Sequence, residues 1–329
     1  MQKQQWNGRK RNRLPFGLSK RAALILAVCV VLILIGVIGL IVRATKKQAS
    51  EKADEEMRAL YYQNTPIPTL TQAPTASPTP EPTPQPTRAP AGAEDSASAS
   101  PPMGMPRLNP VIYPDNPSRT VSERFAGLRK QNSDIIGWLS IGSMVDEAVV
   151  QRDNSFYMDH NVKGQQDVNG AIFLDAFISL DTRPYALILY GHNMRTGARF
   201  GSLRNFDNIS FYRKYPFIDF TSIYEEGSYI IFSVGSVSTE ENDPNFLDFF
   251  GLASNRKDKR RQAIETLQAV SSFTETIDVV IDDQILLLVT CEDQEENRRI
   301  VAARRIRDGE DRTKLKKMVE DAAERPGEE

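Results

Sequence analysis

From Thr65 to about Pro117 the chain is dominated by Pro, Thr, Ala and Ser with few large apolar residues, in stretches such as Thr75-Ala-Ser-Pro-Thr-Pro-Glu-Pro-Thr-Pro-Gln-Pro86. Such a segment buries too little apolar surface to offset the entropy of ordering it, and it favours extended polyproline conformations. Any sizeable folded core must therefore come from the residues beyond Pro117, roughly 210 of them, enough for one domain of ordinary size. About fifty residues of this kind span on the order of 100 Å when largely extended. The segment is expected to act as a spacer between whatever lies on its two sides.

Ahead of it lies a strongly patterned N-terminus. Residues 1–21 carry Lys3, Arg9, Lys10, Arg11, Arg13, Lys20 and Arg21 and no acid, and Ala22–Val42 comes next with no charge at all. At about 1.5 Å per residue, a helix of that length crosses the hydrocarbon core of a bilayer. A cleaved signal peptide is the competing reading, but its apolar core is usually shorter and is followed by a small-residue cleavage site. Here the run ends in Val42-Arg43-Ala-Thr-Lys46-Lys47, which reads as an uncleaved signal anchor. The basic cluster stays cytoplasmic by the positive-inside rule, so everything after Val42 is expected outside. Next to a membrane span, topology and contact with anionic lipid explain the cluster better than nucleic-acid binding does. The spacer then lies on the wrong side of the membrane for an SH3-type partner. Residues 46–62 carry mixed charge and are expected to extend the membrane helix as a short stalk. The net charge of −2 gives no global field pointing to nucleic acid.

The folded domain is expected to start near Ser118. Thr120-Val-Ser-Glu123 has the form of a capping box, with Val121, Phe125 and Leu128 on one helical face. Eight strand-like runs come after it: Ile136–Ile141, Val145–Val150, Ala171–Asp175, Tyr185–Tyr190, Ser228–Gly235, Thr276–Ile281, Ile285–Thr290 and Ile300–Ile306. Short strands separated by loops predict a mainly β barrel or sandwich. Between the fifth and sixth runs, Arg256–Phe273 places Ile264, Leu267 and Val270 at helical spacing, and its basic stretch Arg256–Arg261 reads as a solvated face. A last helix is expected over Asp311–Glu324, with Leu315, Met318, Val319 and Ala322 on one side.

Cysteine is used twice, at Cys29 inside the apolar run and at Cys291 in the domain, so no intrachain disulfide is expected. A free thiol outside the cell suggests a thiol that is used. Cys291 ends the apolar run Ile285-Leu-Leu-Leu-Val-Thr-Cys291, and Arg298-Arg299 precede the next run. His192, one of two histidines, lies in Leu189-Tyr-Gly-His192-Asn-Met. Each residue alone has a bland reading: a small buried hydrophobe, a satisfied core histidine, a solvated arginine. Together they supply a nucleophile that acts as thiolate, a general acid/base, and a permanently charged fork of N–H donors for an oxyanion. There are too few cysteines and histidines for a four-ligand zinc site, and no carboxylate cluster argues for calcium. No Walker loop or dinucleotide fingerprint is present, and no cofactor is expected.

Taken together these residues resemble the sortases, and class B most closely. The segments are Leu287-Leu-Val-Thr-Cys291 with Glu292-Asp293 after it, Tyr190-Gly-His-Asn-Met-Arg195 with Phe200-Gly-Ser-Leu203, Asn132-Ser-Asp-Ile-Ile-Gly-Trp138-Leu, and Asn154-Ser-Phe-Tyr-Met158 leading to Gly170-Ala-Ile-Phe-Leu-Asp175. They span roughly residues 118–307 in the family's order. The pattern departs from the family at Leu287, where a Thr is usual, and at Val289, where class B members often carry Ser. The resemblance implies an eight-stranded barrel with an N-terminal helix and a helix inserted before the penultimate strand. It implies Cys291 as nucleophile, His192 as acid/base and Arg299 as oxyanion or substrate clamp, with Arg298 as its rival. It implies a substrate groove using Asn154, Met158, Val289, Thr290 and Glu292, and more loosely Phe246 and Leu247. His160, in Tyr157-Met-Asp-His160-Asn, is expected to have no catalytic part.

The chain thus divides into a cytoplasmic tail (1–21), a membrane anchor (22–42), a stalk and linker (43–117), a catalytic domain (118–308) and a C-terminal helical extension (309–329). The expected activity is cleavage of a C-terminal sorting motif in secreted proteins through a thioacyl-enzyme. The acyl group then passes to an amine of a peptidoglycan cross-bridge or its lipid-linked precursor, on the outer face of a Gram-positive bacterium. A cysteine endopeptidase with water as acceptor uses the same three side chains, and a catalytically silent wall-associated scaffold needs none of them.

Overall fold

The computed structural model describes residues 20–63, 112–291 and 297–325. The chain forms two compact units, the first ending at Lys52 and the second starting at Ala53. One long helix, α1 (Lys20–Gln63), contributes to both. Its apolar part is exposed from Leu24 to Val42 and is long and apolar enough to cross a membrane. From Ala53 onward the helix has another character. Ala53, Met57 and Tyr61 recur every four residues and are buried in the second unit, while the charged residues between them face outward or pair. The membrane helix thus continues through the expected stalk, and from Ala53 it belongs to the folded unit, as does Tyr113, whose hydroxyl donates to the Leu180 carbonyl at 3.0 Å.

Eight strands close into a barrel: β1 (Ile135–Ile141), β2 (Val145–Val150), β3 (Ile172–Leu174), β4 (Ala186–His192), β5 (Phe217–Ser222), β6 (Glu226–Ser238), β7 (Ile285–Cys291) and β8 (Asn297–Arg305). Their order round the barrel is β1-β2-β3-β4-β7-β8-β6-β5. Two pairs are parallel, β2 with β3 and β4 with β7, and the others are antiparallel. Alternation along β1 sends Leu139 and Ile141 into the main core and Trp138 to the outer face. A register shift between Ile135 and Gly137 lets Ile135 join Trp138 on that outer face. Gly137 has no room for a side chain, since a Cβ would lie 2.7 Å from the Phe220 ring.

Two expectations about the strands need correction. Thr276–Ile281 forms no strand, because its backbone is committed elsewhere: Arg304 Nε donates to the Asp278 carbonyl at 2.7 Å, and the Val280 N–H donates to Asp283 Oδ2 at 2.8 Å. The strand that completes the barrel is β5, in which Ile218 and Phe220 point inward and alternate with Asp219 and Thr221. The capping box does not form either. Thr120 is held in a turn by the Asn116 side chain, and a 3₁₀ turn (Glu123–Phe125) leads into α2 (Ala126–Gln131). Phe125 and Leu128 are buried as expected, and Val121 is exposed.

The remaining helices are α3 (Ile209–Lys214), α4 (Phe249–Ala253), α5 (Lys257–Ala269) and α6 (Arg312–Glu320). α5 enters before the penultimate strand, as expected, and buries Ala263, Ile264 and Leu267. Its basic stretch is not wholly solvated: Arg260 is 2% exposed, with its guanidinium 3.8 Å from the Tyr185 ring centre and a bond of 2.8 Å to the Ser254 carbonyl. α6 is capped by Asp311, which accepts from the N–H groups of Thr313 and Lys314, and it buries Leu315 and Val319 while Met318 stays half-exposed. β7 is apolar throughout because neighbours cover both its faces, which is the usual composition of a strand paired in parallel.

Candidate active site

His192 is the last residue of β4 and Cys291 the last of β7, and these adjacent parallel strands hold the two residues in direct register. Residues so paired on neighbouring strands lie about 4.8 Å apart along the hydrogen-bonding direction and share a face. The strands end together for local reasons. After His192 the chain turns tightly: Met194 and Phe200 both donate their N–H to the His192 carbonyl, at 3.0 and 3.1 Å, and Asn193 bridges Arg199. Arg204 clamps the turn through the Gly201 carbonyl at 2.6 Å, the Asn193 side chain at 3.3 Å and the Met194 carbonyl.

The His192 ring is oriented from behind. Its Nε2 lies 2.5 Å from the Met158 carbonyl, and since a carbonyl only accepts, Nε2 carries the proton. In the neutral ring Nδ1 is then the basic nitrogen. Met158 closes a 3₁₀ turn (Phe156–Met158) that is itself anchored: the Tyr157 hydroxyl donates to Asp134 Oδ2 and accepts from Asn132 Nδ2, both at 2.8 Å. Burial pushes the Tyr157 hydroxyl up to about 12, so it remains a donor across the ordinary pH range. Gly170 fits against this assembly with φ +59°, and a Cβ there would meet the Tyr157 carbonyl at 2.5 Å and the His192 ring at 3.1 Å. His160 is bound within its own turn, its Nδ1 lying 2.8 Å from the Phe156 carbonyl and 2.6 Å from Asp159, with its ring stacked on Phe156.

The other expected residues are dispersed around this pair. Asn154 is exposed and pins the end of β3, donating to Asp175 at 3.1 Å and accepting from the Ala176 N–H at 2.8 Å. Met158 presents its carbonyl to His192 and is half-buried. Val289 and Thr290 are fully buried, so their side chains offer no open groove surface. Leu247 is likewise buried in the main core, while Phe246 stays half-exposed and bridges Ser238. Glu292 lies outside the described residues. Among the described residues no group of His, Cys, Asp or Glu could hold a metal ion.

The two arginines separate by register. Val289 pairs with Ile300, so counting along both strands puts Thr290 opposite Arg299, and the Thr290 hydroxyl lies 3.5 Å from the Arg299 carbonyl. Arg299 forms an ion pair with Asp207, the last residue of a 3₁₀ segment (Gly201–Asp207) preceded by Phe200, which packs on Gly191. Gly191 and Thr290 are register partners, so Arg299, Thr290 and Gly191 share one face, opposite to that of His192.

One cluster had no motif to announce it. Arg199, 2% exposed, donates to Asp54 of α1 at 2.8 Å, to Glu147 of β2 at 2.6 Å and to the Gly170 carbonyl at 2.9 Å. Asp54 and Arg199 are 145 residues apart in sequence, and nothing local to either predicts the pair.

No protein-family model matches the chain. Sortase B of Staphylococcus aureus is 27% identical over 190 residues, covering 56% of this chain and 75% of the relative. Sortase B of Listeria monocytogenes is 28% identical over 196 residues, with the same coverage. These similarities support a class B sortase. The barrel agrees: a solved Bacillus anthracis protein described as similar to sortase B superposes with a TM-score of 0.55 at 21% identity, covering 79% of this chain and 96% of its own. A sortase is a cysteine transpeptidase, and the barrel here sets the chain's one histidine in a Gly-His-Asn turn beside its one cysteine outside the apolar helix.

Proposed function

We propose that Cys291 attacks the backbone carbonyl of a C-terminal sorting motif in a secreted protein and that an amine of the cell wall resolves the thioester. The direct register of His192 with Cys291 carries this reading. The thiol passes its proton to the His192 imidazole, the sulfur adds to the carbonyl, and the tetrahedral oxyanion collapses as the imidazolium protonates the departing amine. The tail leaves and a thioester remains. The acceptor amine then attacks, its proton passes to the imidazole, and the thiolate is regenerated. The amine belongs to a peptidoglycan cross-bridge or its lipid-linked precursor. The basic N-terminus lies in the cytoplasm, and the catalytic domain faces the wall of a Gram-positive cell.

The motif resemblance assigns the oxyanion fork to Arg299, which would have to leave Asp207 to reach the carbonyl. Because Arg299 is paired with Asp207, a second reading has Arg298, its neighbour on β8, supply the fork. The test combines a peptide library bearing C-terminal motifs with the full-length enzyme, with and without triglycine. The expected result is a cleaved peptide joined to triglycine at its new end, lost in Cys291→Ala. Cleavage whose rate and products ignore the amine would replace transfer with hydrolysis.

A further inference from the structure

We propose that Arg199 is a positioning residue for His192 and that Asp54 sets Arg199, so that the end of α1 is a working part of the catalytic unit. This rests on the proposed role of His192.

Arg199 closes the turn that begins at His192. It bridges Asn193, and the next N–H, that of Phe200, is bonded to the His192 carbonyl. Its backbone adopts φ +54°, a left-handed conformation uncommon for any residue but glycine. Such a conformation persists where surrounding contacts over-determine it. Those contacts include the guanidinium bonds to Asp54, Glu147 and the Gly170 carbonyl. The bond to the Gly170 carbonyl matters most, because Gly170 is wedged between the Tyr157 and Met158 carbonyls and the His192 ring. Met158 is in turn the acceptor for His192 Nε2. Arg199 therefore acts on His192 from two sides, through the turn that carries it and through the glycine behind its ring.

Asp54 brings α1 into this cluster, with Glu147 from β2 and Arg199 from the turn after β4. The helix is held against the barrel well beyond this bond. Tyr61 stacks on Trp138 at 4.3 Å between ring centres, and Arg58 bonds the Asp146 carbonyl at 3.0 Å and its carboxylate at 2.9 Å. Asp146 also accepts from the Trp138 indole at 2.7 Å, so the β2 strand that supplies Glu147 is itself fixed by α1. A cation buried to this degree is costly to leave with a mismatched partner, so the turn should relax when Asp54 is replaced by Asn.

The test uses the full-length chain in detergent micelles, with histidines labelled for NMR. The chain has two histidines, and His160→Gln assigns the signals. The variants are the near-isosteric Asp54→Asn and Arg199→Lys, with folding checked by the Tyr and Trp near-ultraviolet signal. The expected result is a change in the His192 ring signals and in their titration midpoint, larger than any change at His160. A fall in kcat of about 10- to 100-fold with little change in KM should accompany it, as expected when a catalytic group is displaced by about an ångström. His192 signals and titration identical to wild type in both folded variants would overturn the proposal, whatever happens to turnover. Altered His192 signals in an enzyme whose wild type shows no transfer would keep the positioning role and discard the reaction.

Discussion

At Cys291 and His192 the chemistry turns on single atoms. Replacing Cys291 with Ala should abolish cleavage and transfer in the peptide assay while lowering stability by only about 1–2 kcal/mol, since little volume is lost at a strand end. His192→Ala should lower kcat by about 10²–10⁴-fold, the usual contribution of a general acid/base. His160→Ala should leave turnover nearly unchanged, because its ring is tied to Phe156 and Asp159 rather than to the Met158 carbonyl. For the arginines, acylation rates of Arg298→Ala and Arg299→Ala with one peptide decide the assignment. Loss of the oxyanion fork should cost about 10²–10³-fold, and the other variant should remain near wild type. The proposed nucleophile and base each sit in a short contiguous motif, so the sequence alone suffices to propose them. The arginine is not legible in this way, because one residue of register exchanges the faces of Arg298 and Arg299. Neither is the Asp54–Arg199 bond, because tertiary packing alone brings the two together.

Among the elements, the end of α1 departs furthest from its sequence reading. Its mixed charge suggests a short stalk extending the membrane helix; the helix does extend, but Met57 and Tyr61 are nearly fully buried, and Tyr61 covers Trp138. Burying a large apolar side chain contributes about 1.5–3 kcal/mol. A chain truncated to begin at Ser118 should therefore unfold at a clearly lower urea concentration than one beginning at Lys46, by several kcal/mol in all. Equal midpoints for the two would show that α1 adds nothing to the barrel. The strands are largely legible from apolar and β-branched runs, but β5 escapes that reading although Ile218 and Phe220 alternate with Asp219 and Thr221. Thr276–Ile281 mimics a strand because local periodicity does not reveal that Arg304 and Asp283 claim its backbone. Arg260 likewise reads as surface until Tyr185 is placed beneath it.

For the molecule as a whole, pH acts through Asp54. Burial pushes its carboxyl up to about 6; Arg199 opposes the shift, and Glu147 and Asp167 reinforce it. A carboxyl raised in the folded state holds its proton more tightly there than in the unfolded chain. The stability this gives is full below about 4 and is lost as pH rises through about 6. The difference in melting temperature between wild type and Asp54→Asn should accordingly favour wild type more at pH 4 than at pH 7; a difference independent of pH would mean that Asp54 titrates normally. Topology can be read from the thiols: on intact cells, a membrane-impermeant maleimide should label the wild type and not Cys291→Ala. The register of β4 and β7 has one more consequence. His192 and Cys291 lie about a hundred residues apart in the chain, and the strands between them in sequence are built elsewhere in the barrel. Such a distant parallel pairing carries a large loop-closure cost and is slow to form. A chain still emerging or half-folded holds a thiol without its base, and the enzyme should gain its reactivity in a single late step, when the barrel shuts.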